Sequence, residues 1–463
     1  MQMTTSLRSS AIEQELRALL GDGAVLPGSS TAYLVDFTED QGVRGHADAV
    51  VLPASAAEVA RVVAWCYEHD VPLVPRGGGT GFAGGAVPDG RGVVLGLERL
   101  NRVRAFDPLL WRMHVEAGVT TAEVRRVARE SGLFFPPDPG AAEQSQIGGN
   151  IATNAGGPHA FKYGVTGTWV TGLEAVLAPG EVVTVGGPIR KNVAGYDLKS
   201  LLIGSEGTLG VITAAWLKLL PAPELFLPVV GFYSRTATGC EALERVLASG
   251  LVVAALEYLD AGTLDAARGS FPADVPTSAA FMVIAEADGS KDEAERLQAE
   301  VIEALEENAV GVYAPRDPAD VAELWRWRDG VSIAVSAQRG GKVSEDIVVP
   351  FDRIRDAIEQ TLEIGRRHEL PACSWGHAGD GNLHSTFLVA PDSLDELERA
   401  REAAHELFVL ATELGGSISG EHGLGSVKRA HLPLQASPTA IELQQAIKRA
   451  FDPKGLLNPG KAV

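Results

Sequence analysis

Residues 374–387 read SWGHAGDGNLHSTF, with His377 and His384 placed either side of an Asp380-Gly381 pair. Asp-Gly inside an alternating run is a strong signal for a two-residue hairpin turn. With the turn at that point, Gly379 opposes Asn382, Ala378 opposes Leu383 and His377 opposes His384. Directly opposed residues share a face, with Cβ atoms about 4.5–5.5 Å apart. Two imidazoles at that spacing can share one metal ion. Two structural histidines would give the same pattern, so the pair alone leaves the choice open. A second segment, GSISGEHGLGSVKR at 416–429, adds the carboxylate of Glu421 and the imidazole of His422 in a glycine-rich turn. Two histidines and a carboxylate with open positions suit Zn²⁺ or Mn²⁺ acting as a Lewis acid. By itself, a pair such as Glu421-His422 is more often a surface pair than a site.

A different chemistry is written into PRGGGTGFAGGA at 75–86, where Gly79 to Gly84 satisfy G-x-G-x-x-G. A dinucleotide fingerprint of that form must open a helix whose N-terminus faces the pyrophosphate. Here Gly84, Gly85, Pro88, Gly90 and Gly92 follow, which cannot build one, and VVLGL then reads as a strand. The unit is strand–loop–strand, and Glu98, standing where a ribose-binding acid would be expected, is a coincidence of spacing. Successive glycine N–H groups can still form an anion nest, which phosphate oxygens approach because no Cβ intervenes. Two further glycine-rich stretches lie at 136–167 (with Ser145, Thr153 and Asn154 among Gly148, Gly149, Gly156 and Gly157) and at 204–213, GSEGTLGVIT. Three such loops suit a long, extended cofactor wrapped by backbone.

The elements that must position these groups fall into two textures. Up to the linker PAPEL at 221–225 the chain is rich in glycine and short strands. The spacing predicts a helix over 56–69 and strands at VPLVP and WRMHVEAGV. It also predicts a helix opened by a Thr120–Glu123 capping box, two strands around Pro179-Gly180, and a last strand ending at Pro221. Beyond the linker, strands such as ALEYLD and FMVIAEADG alternate with long charged helices, as expected of an α+β cap. WRWRDGVSIAVSAQRGGKVSEDIVVP at 325–350 concentrates cations, most of which elsewhere would simply be solvated.

A chain of 463 residues is too long for one core and implies two or three domains. Its net charge of −20 argues against a nucleic-acid partner. Cys66, Cys240 and Cys373 are scattered, which fits a reducing cytoplasm and excludes a disulfide scaffold or an iron–sulfur site. No apolar signal region follows MQMTTSLRSS, and no run of about 18 apolar residues marks a transmembrane segment. The absence of G-x-S-x-G and H-E-x-x-H disfavours a hydrolase.

PRGGGTG, IGGNIATNAGG, KYGVTG and VAGYDLKSLLIGSEGTLGVIT together resemble the flavin-binding domain of the vanillyl-alcohol-oxidase (PCMH) superfamily. Within it the chain resembles the group of glycolate oxidase D-subunits, D-lactate dehydrogenases and D-2-hydroxyglutarate dehydrogenases, from about residue 45 to Asn458-Pro459-Gly460. The resemblance implies an α+β fold: a PCMH-type FAD domain of two α+β subdomains over 1–222, an α+β cap for substrate over 223–415, and a segment over 416–463 returning to the FAD domain. It implies FAD held by Pro75, Arg76, Gly77, Gly78, Gly79, Thr80 and Gly81 around the pyrophosphate. Pro137, Asp138, Gly148, Gly149, Asn150, Thr153, Asn154, Gly156 and Gly157, with Glu206, Gly207, Ile212 and Asn458, would hold the rest. Some relatives attach FAD through a histidine in the first loop; Thr80 and Gly81 stand there, so noncovalent FAD is expected.

The same resemblance makes His377, His384 and Glu421 ligands of a divalent metal, zinc or manganese, and His422 the base. It sets Arg328, Ser332 and Lys342 at the substrate carboxylate. The implied reaction oxidises a small D-2-hydroxy acid to the 2-oxo acid by hydride transfer to flavin N5. Relatives that oxidise hydroxyglutarate carry asparagine two residues after the second histidine; Thr386 stands there, which leans toward glycolate or D-lactate. The alternatives are a D-2-hydroxyglutarate dehydrogenase and the flavoprotein subunit of a multi-subunit glycolate oxidase. Electrons would leave to a quinone, an electron-transfer flavoprotein, a partner subunit or oxygen. A homodimer is compatible with the pattern, as is a cytoplasmic protein peripheral to the inner membrane through a partner.

Overall fold

A computed structural model describes residues 2–38 and 41–463. The fold is α+β, in two compact units: Met1–Gly156 with Val165–Ala222 and Glu421–Val463, and Gly157–Gly164 with Pro223–Gly420.

The first unit holds two sheets. In the smaller, the strands run in the order Val25–Pro27, Ala49–Val51, Val93–Gly96, Leu73–Arg76. The last two are parallel neighbours although no helix lies between them in sequence. The glycines of 77–92 make the crossover an open loop, so the chemistry faces a loop where a Rossmann unit would present a helix end. Apolar residues of Ala56–Glu68 (Val59, Val62, Val63, Cys66) pack on the buried strand residues Ala49, Val51, Val93 and Leu95. The larger sheet is antiparallel, in the order Val103–Asp107, Arg112–Glu116, Val211–Lys218, Val170–Leu177, Glu181–Gly186. Thr120 caps the helix Thr121–Arg129 by accepting from Glu123 N at 3.2 Å. Only half of the expected box is made, because Arg126 takes the Glu123 carboxylate at 2.7 and 2.8 Å. The strand expected to end at Pro221 is two, Val211–Lys218 and the short Leu220–Pro221, which pairs with Leu133–Phe134.

The second unit is one antiparallel seven-stranded sheet: Gly311–Tyr313, Leu225–Tyr233, Phe281–Gly289, Ala255–Leu259, Ala372–His377, Asn382–Val389, Gly341–Val348. The helices Lys291–Glu306, Ile354–Arg367 and Leu394–Glu413 pack on it. On one face Phe232, Leu259, Met282 and Trp375 form a core with Leu264, Leu324, Trp327 and Val331 of three short helices.

The units part at Gly420/Glu421 rather than at 415/416. Ser417 exchanges two backbone bonds of 2.9 Å with Val348, and Ser419 Oγ and Gly420 N both donate to Asp346 at 2.9 Å, which keeps the chain in the cap up to Gly420. Residues 157–164 also fall in the cap. His159 meets Glu286 at 2.6 Å, and Lys162 and Tyr163 both bond Asp288. No described helix is long and apolar enough to cross a membrane.

Candidate active site

The first unit contains a cavity, partly open to solvent, whose wall is largely main chain. Close approach dictates the glycines. A Cβ on Gly78 would lie 2.0 Å from Gln144 O, and Gly79, at φ +69°, would press one onto the Arg76 guanidinium. Arg76 braces the loop: it donates to Ala32 O at 2.8 Å and Ala86 O at 3.4 Å. Its burial lowers the guanidinium pKa, against the pull of Asp36, Tyr33 and Glu98.

Pro75 to Gly81, Gly148, Gly149, Asn150, Thr153, Gly156, Glu206, Gly207 and Ile212 all line this cavity. Five expected residues do not. Pro139 and Gly140 take the place of Pro137 and Asp138 in the wall. Asn154 is the left-handed cap of the helix Ile147–Thr153 and accepts from Gly167 N at 2.8 Å. Asn458 works from behind, donating to Gly85 O at 2.9 Å and Glu206 O at 2.7 Å. Gly157 belongs to the other unit.

Glu421 and His422 line the same cavity. Their turn is fixed by Glu206, a buried residue at φ +53° whose carboxylate accepts from Leu424 N at 2.8 Å and Gly425 N at 2.7 Å. Burial pushes the Glu206 pKa up, and the two N–H groups oppose that. His422 stacks on Phe82 with ring centroids 4.8 Å apart. Its Nε2 lies 4.0 Å from Glu421 Oε1. Gly156 leaves room for that carboxylate, since a Cβ there would stand 2.7 Å from Glu421 Oε2.

In the cap the hairpin register differs from the expected one. His377 opposes Asn382, and His384 opposes Trp375. Asp380-Gly381 is not a two-residue turn. Ala378–Asp380 form a 3₁₀ turn closed by Gly381 at φ +74°, so the loop has four residues. The shift is by two positions, and a shift by two preserves the face, whereas a shift by one would reverse it. The histidines therefore stand diagonally on one face. Their ring centroids are 5.2 Å apart at 88°, and a ligand nitrogen of each lies within 4.8 Å of one on the other.

Behind them sits Glu257, a residue that nothing in ALEYLD marked. It opposes His377 in register. One oxygen meets His377 Nδ1 at 2.6 Å; the other accepts from Arg328 Nε at 2.9 Å and Nη2 at 2.5 Å. Complete burial would raise its pKa, but His377 and Arg328 outweigh that and hold it below the usual carboxylate range. A carboxylate on Nδ1 fixes the orientation of the ring, as carboxylates do behind metal-bound histidines. The only sequence signal was a charged residue inside an otherwise apolar strand. Asp346, opposite His384, is a second buried carboxylate, on a strand that is polar rather than apolar; it accepts from Asn382 Nδ2 at 2.5 Å.

Arg328 lies on Pro318–Asp329, Ser332 on Val331–Ala337 and Lys342 on the edge strand. Lys342 Nζ donates to Ser332 O at 2.6 Å and Oγ at 2.5 Å and sits 5.6 Å from the Trp375 ring. Arg328 is buried against Glu257 and does not present its whole fork. Thr386 is buried and shares a 2.7 Å hydrogen bond with Ser344.

Comparison with known proteins matches residues 47–186 to the FAD binding domain and residues 228–462 to the C-terminal domain of FAD linked oxidases. The chain belongs to the FAD-linked oxidases. This FAD-linked oxidase is 38% identical to the glycolate oxidase subunit GlcD of Bacillus subtilis, over 89% of this chain and 88% of that one. It is 34% identical to the D-lactate dehydrogenase of Anaerostipes hadrus (92% of each chain) and 33% identical to the D-2-hydroxyglutarate dehydrogenase of Stutzerimonas stutzeri (97% and 98%). Its fold is that of p-cresol methylhydroxylase, with a TM-score of 0.79 at 18% identity over 98% of this chain and 96% of that one. It is likewise that of the 4-ethylphenol oxidase from Gulosibacter chungangensis, with a TM-score of 0.80 at 20% identity over 98% and 97%. The FAD-linked oxidase is thus an oxidoreductase of PCMH-type fold, and the main-chain cavity is where the family match lies.

Proposed function

We propose that the protein oxidises a small D-2-hydroxy monocarboxylic acid, glycolate or D-lactate, to the 2-oxo acid, using noncovalent FAD and a divalent metal. The observation that carries this reading is the pair of imidazoles on one cap face, with Glu257 fixing His377. The donor set, two nitrogens and a carboxylate, suits Zn²⁺ or Mn²⁺. His377 and His384 would hold the ion with Glu421, which is one peptide bond from Gly420, itself anchored to Asp346. When bound, the ion would supply Lewis acidity toward a substrate hydroxyl, and FAD would supply the hydride acceptor.

This chain's residues do the rest. His422, held on Phe82, takes the hydroxyl proton as general base. Lys342, with Ser332, supplies a point charge for the substrate carboxylate. Arg328 adds positive charge through Glu257. Thr386 offers a short hydroxyl where a second substrate carboxylate would need a longer donor, which favours glycolate or lactate over hydroxyglutarate. The electron acceptor is a quinone, an electron-transfer flavoprotein or a partner subunit.

Anaerobic mixing of the FAD-loaded protein with glycolate, D-lactate, L-lactate and D-2-hydroxyglutarate tests the reading. Glycolate or D-lactate should bleach the flavin band, and chelation of the metal should abolish the bleaching. Fastest bleaching by L-lactate or D-2-hydroxyglutarate would overturn the assignment.

A further inference from the structure

At one end of the larger sheet of the FAD unit, two loops carry aliphatic and aromatic side chains into solvent. The turn between Val103–Asp107 and Arg112–Glu116 exposes Leu109 at 85%. The loop following Glu181–Gly186 exposes Val193 at 87% and Tyr196 at 95%. The loops touch. Arg112 donates to Pro188 O at 3.1 Å, and Arg190 lies 5.3 Å from the Trp111 ring. Trp111 is held at φ +52°, an unusual conformation for a bulky residue, with its carbonyl bound by Leu219 N at 2.8 Å. The turn is therefore a built feature rather than a loose end.

Cations gather around these tips. Lys218 stands directly across the strand pair from Arg112. Partial burial lowers its pKa, and the charges of Arg190 and Lys199 lower it further, so three positive groups crowd together. Lys191 follows Arg190 in the same loop. Two carboxylates sit among them, Asp107 paired with Arg112 at 3.2 Å and Asp197 with Lys199 at 3.7 Å. The patch is net positive on a chain of net charge −20.

We propose that this ridge docks the protein on an anionic lipid surface, with Leu109, Val193 and Tyr196 entering the interface and Arg190, Lys191 and Lys218 facing the headgroups. Side chains exposed beyond four-fifths of their area stand off the surface as points. Protein interfaces bury their anchors in packed pockets, whereas a bilayer accepts separate protruding apolar groups. Bases beside those groups strengthen binding at an anionic leaflet. The chain as a whole is acidic, so a net-positive patch is the face that an anionic surface favours. Screening over about 8 Å lets the local patch dominate at contact. The inference stands apart from the choice of substrate.

The test is co-sedimentation of the FAD-loaded full chain with vesicles of phosphatidylcholine alone and of equal parts phosphatidylcholine and phosphatidylglycerol. Binding is expected only to the mixed vesicles and should weaken with salt. Arg190→Glu with Lys191→Glu should reduce it by about tenfold or more. Val193→Ser with Tyr196→Ser should reduce it with the charges intact, and flavin reduction by substrate should be unchanged in both variants. Equal binding to both vesicles, none to either, or full binding by both variants overturns the proposal. So does a wild-type dimer that these substitutions turn into monomers while vesicle binding persists, since the ridge would then cover a second copy.

Discussion

The FAD unit and the cap build their working surfaces from different material. In the FAD unit the wall is backbone: Gly77 to Gly81, Gly148, Gly149 and Gly207 present peptide groups, and side chains such as Arg76 and Asn458 work behind it. In the cap the working groups are side chains projecting from strands, each held by another side chain, as Glu257 holds His377 and Arg328. A backbone wall can bind an extended ligand of any length the loops span, but proton transfer there falls to the few side chains that enter it, His422 among them. A strand face offers acids, bases and ligand atoms at fixed spacing. Binding and chemistry should therefore fail separately.

The widest separation is expected from His384→Ala. FAD content should match wild type, while flavin reduction by substrate should fall about a thousandfold, the several kcal/mol that a Lewis acid supplies. Stopped-flow absorbance and the FAD-to-protein ratio check both halves at once. Glu257→Gln should give a smaller effect of the same kind. Metal affinity should drop about 10- to 100-fold, as for other groups that orient a ligating histidine, and metal content after dialysis reads it directly. Unchanged metal affinity would leave Glu257 a purely structural partner of Arg328. Gly78→Ala should show the reverse phenotype. Its Cβ meets Gln144 O at 2.0 Å, so the loop must shift. Overpacking of about 1–3 kcal/mol should appear as roughly a tenfold or greater loss of FAD affinity, with metal content unaltered.

The same contrast explains what could be read from the sequence. Glycine loops are legible because a run of residues without side chains is rare and local, and the breakers after Gly84 exclude a helix by themselves. The side-chain half is less legible because strand partners decide it. The Asp-Gly signal puts His377 and His384 on one face even though the loop it implies is two residues shorter than the observed one; parity survives where register does not. Glu257 lies 120 residues from His377 and only the order of the seven strands brings them together. Residues 157–164 read as a continuation of the glycine-rich FAD domain. Their membership of the cap rests on Glu286 and Asp288, more than a hundred residues away.

That octapeptide bears on engineering. The chain passes from one unit to the other four times, at 156/157, 164/165, 222/223 and 420/421. A designer who exchanges caps between homologues by cutting only at 223 and 420 would graft a sheet whose Glu286 and Asp288 counterparts meet a recipient's own His159, Lys162 and Tyr163 equivalents. Such a chimera inherits a mismatched clasp. A clean transplant moves the short insert together with the large one.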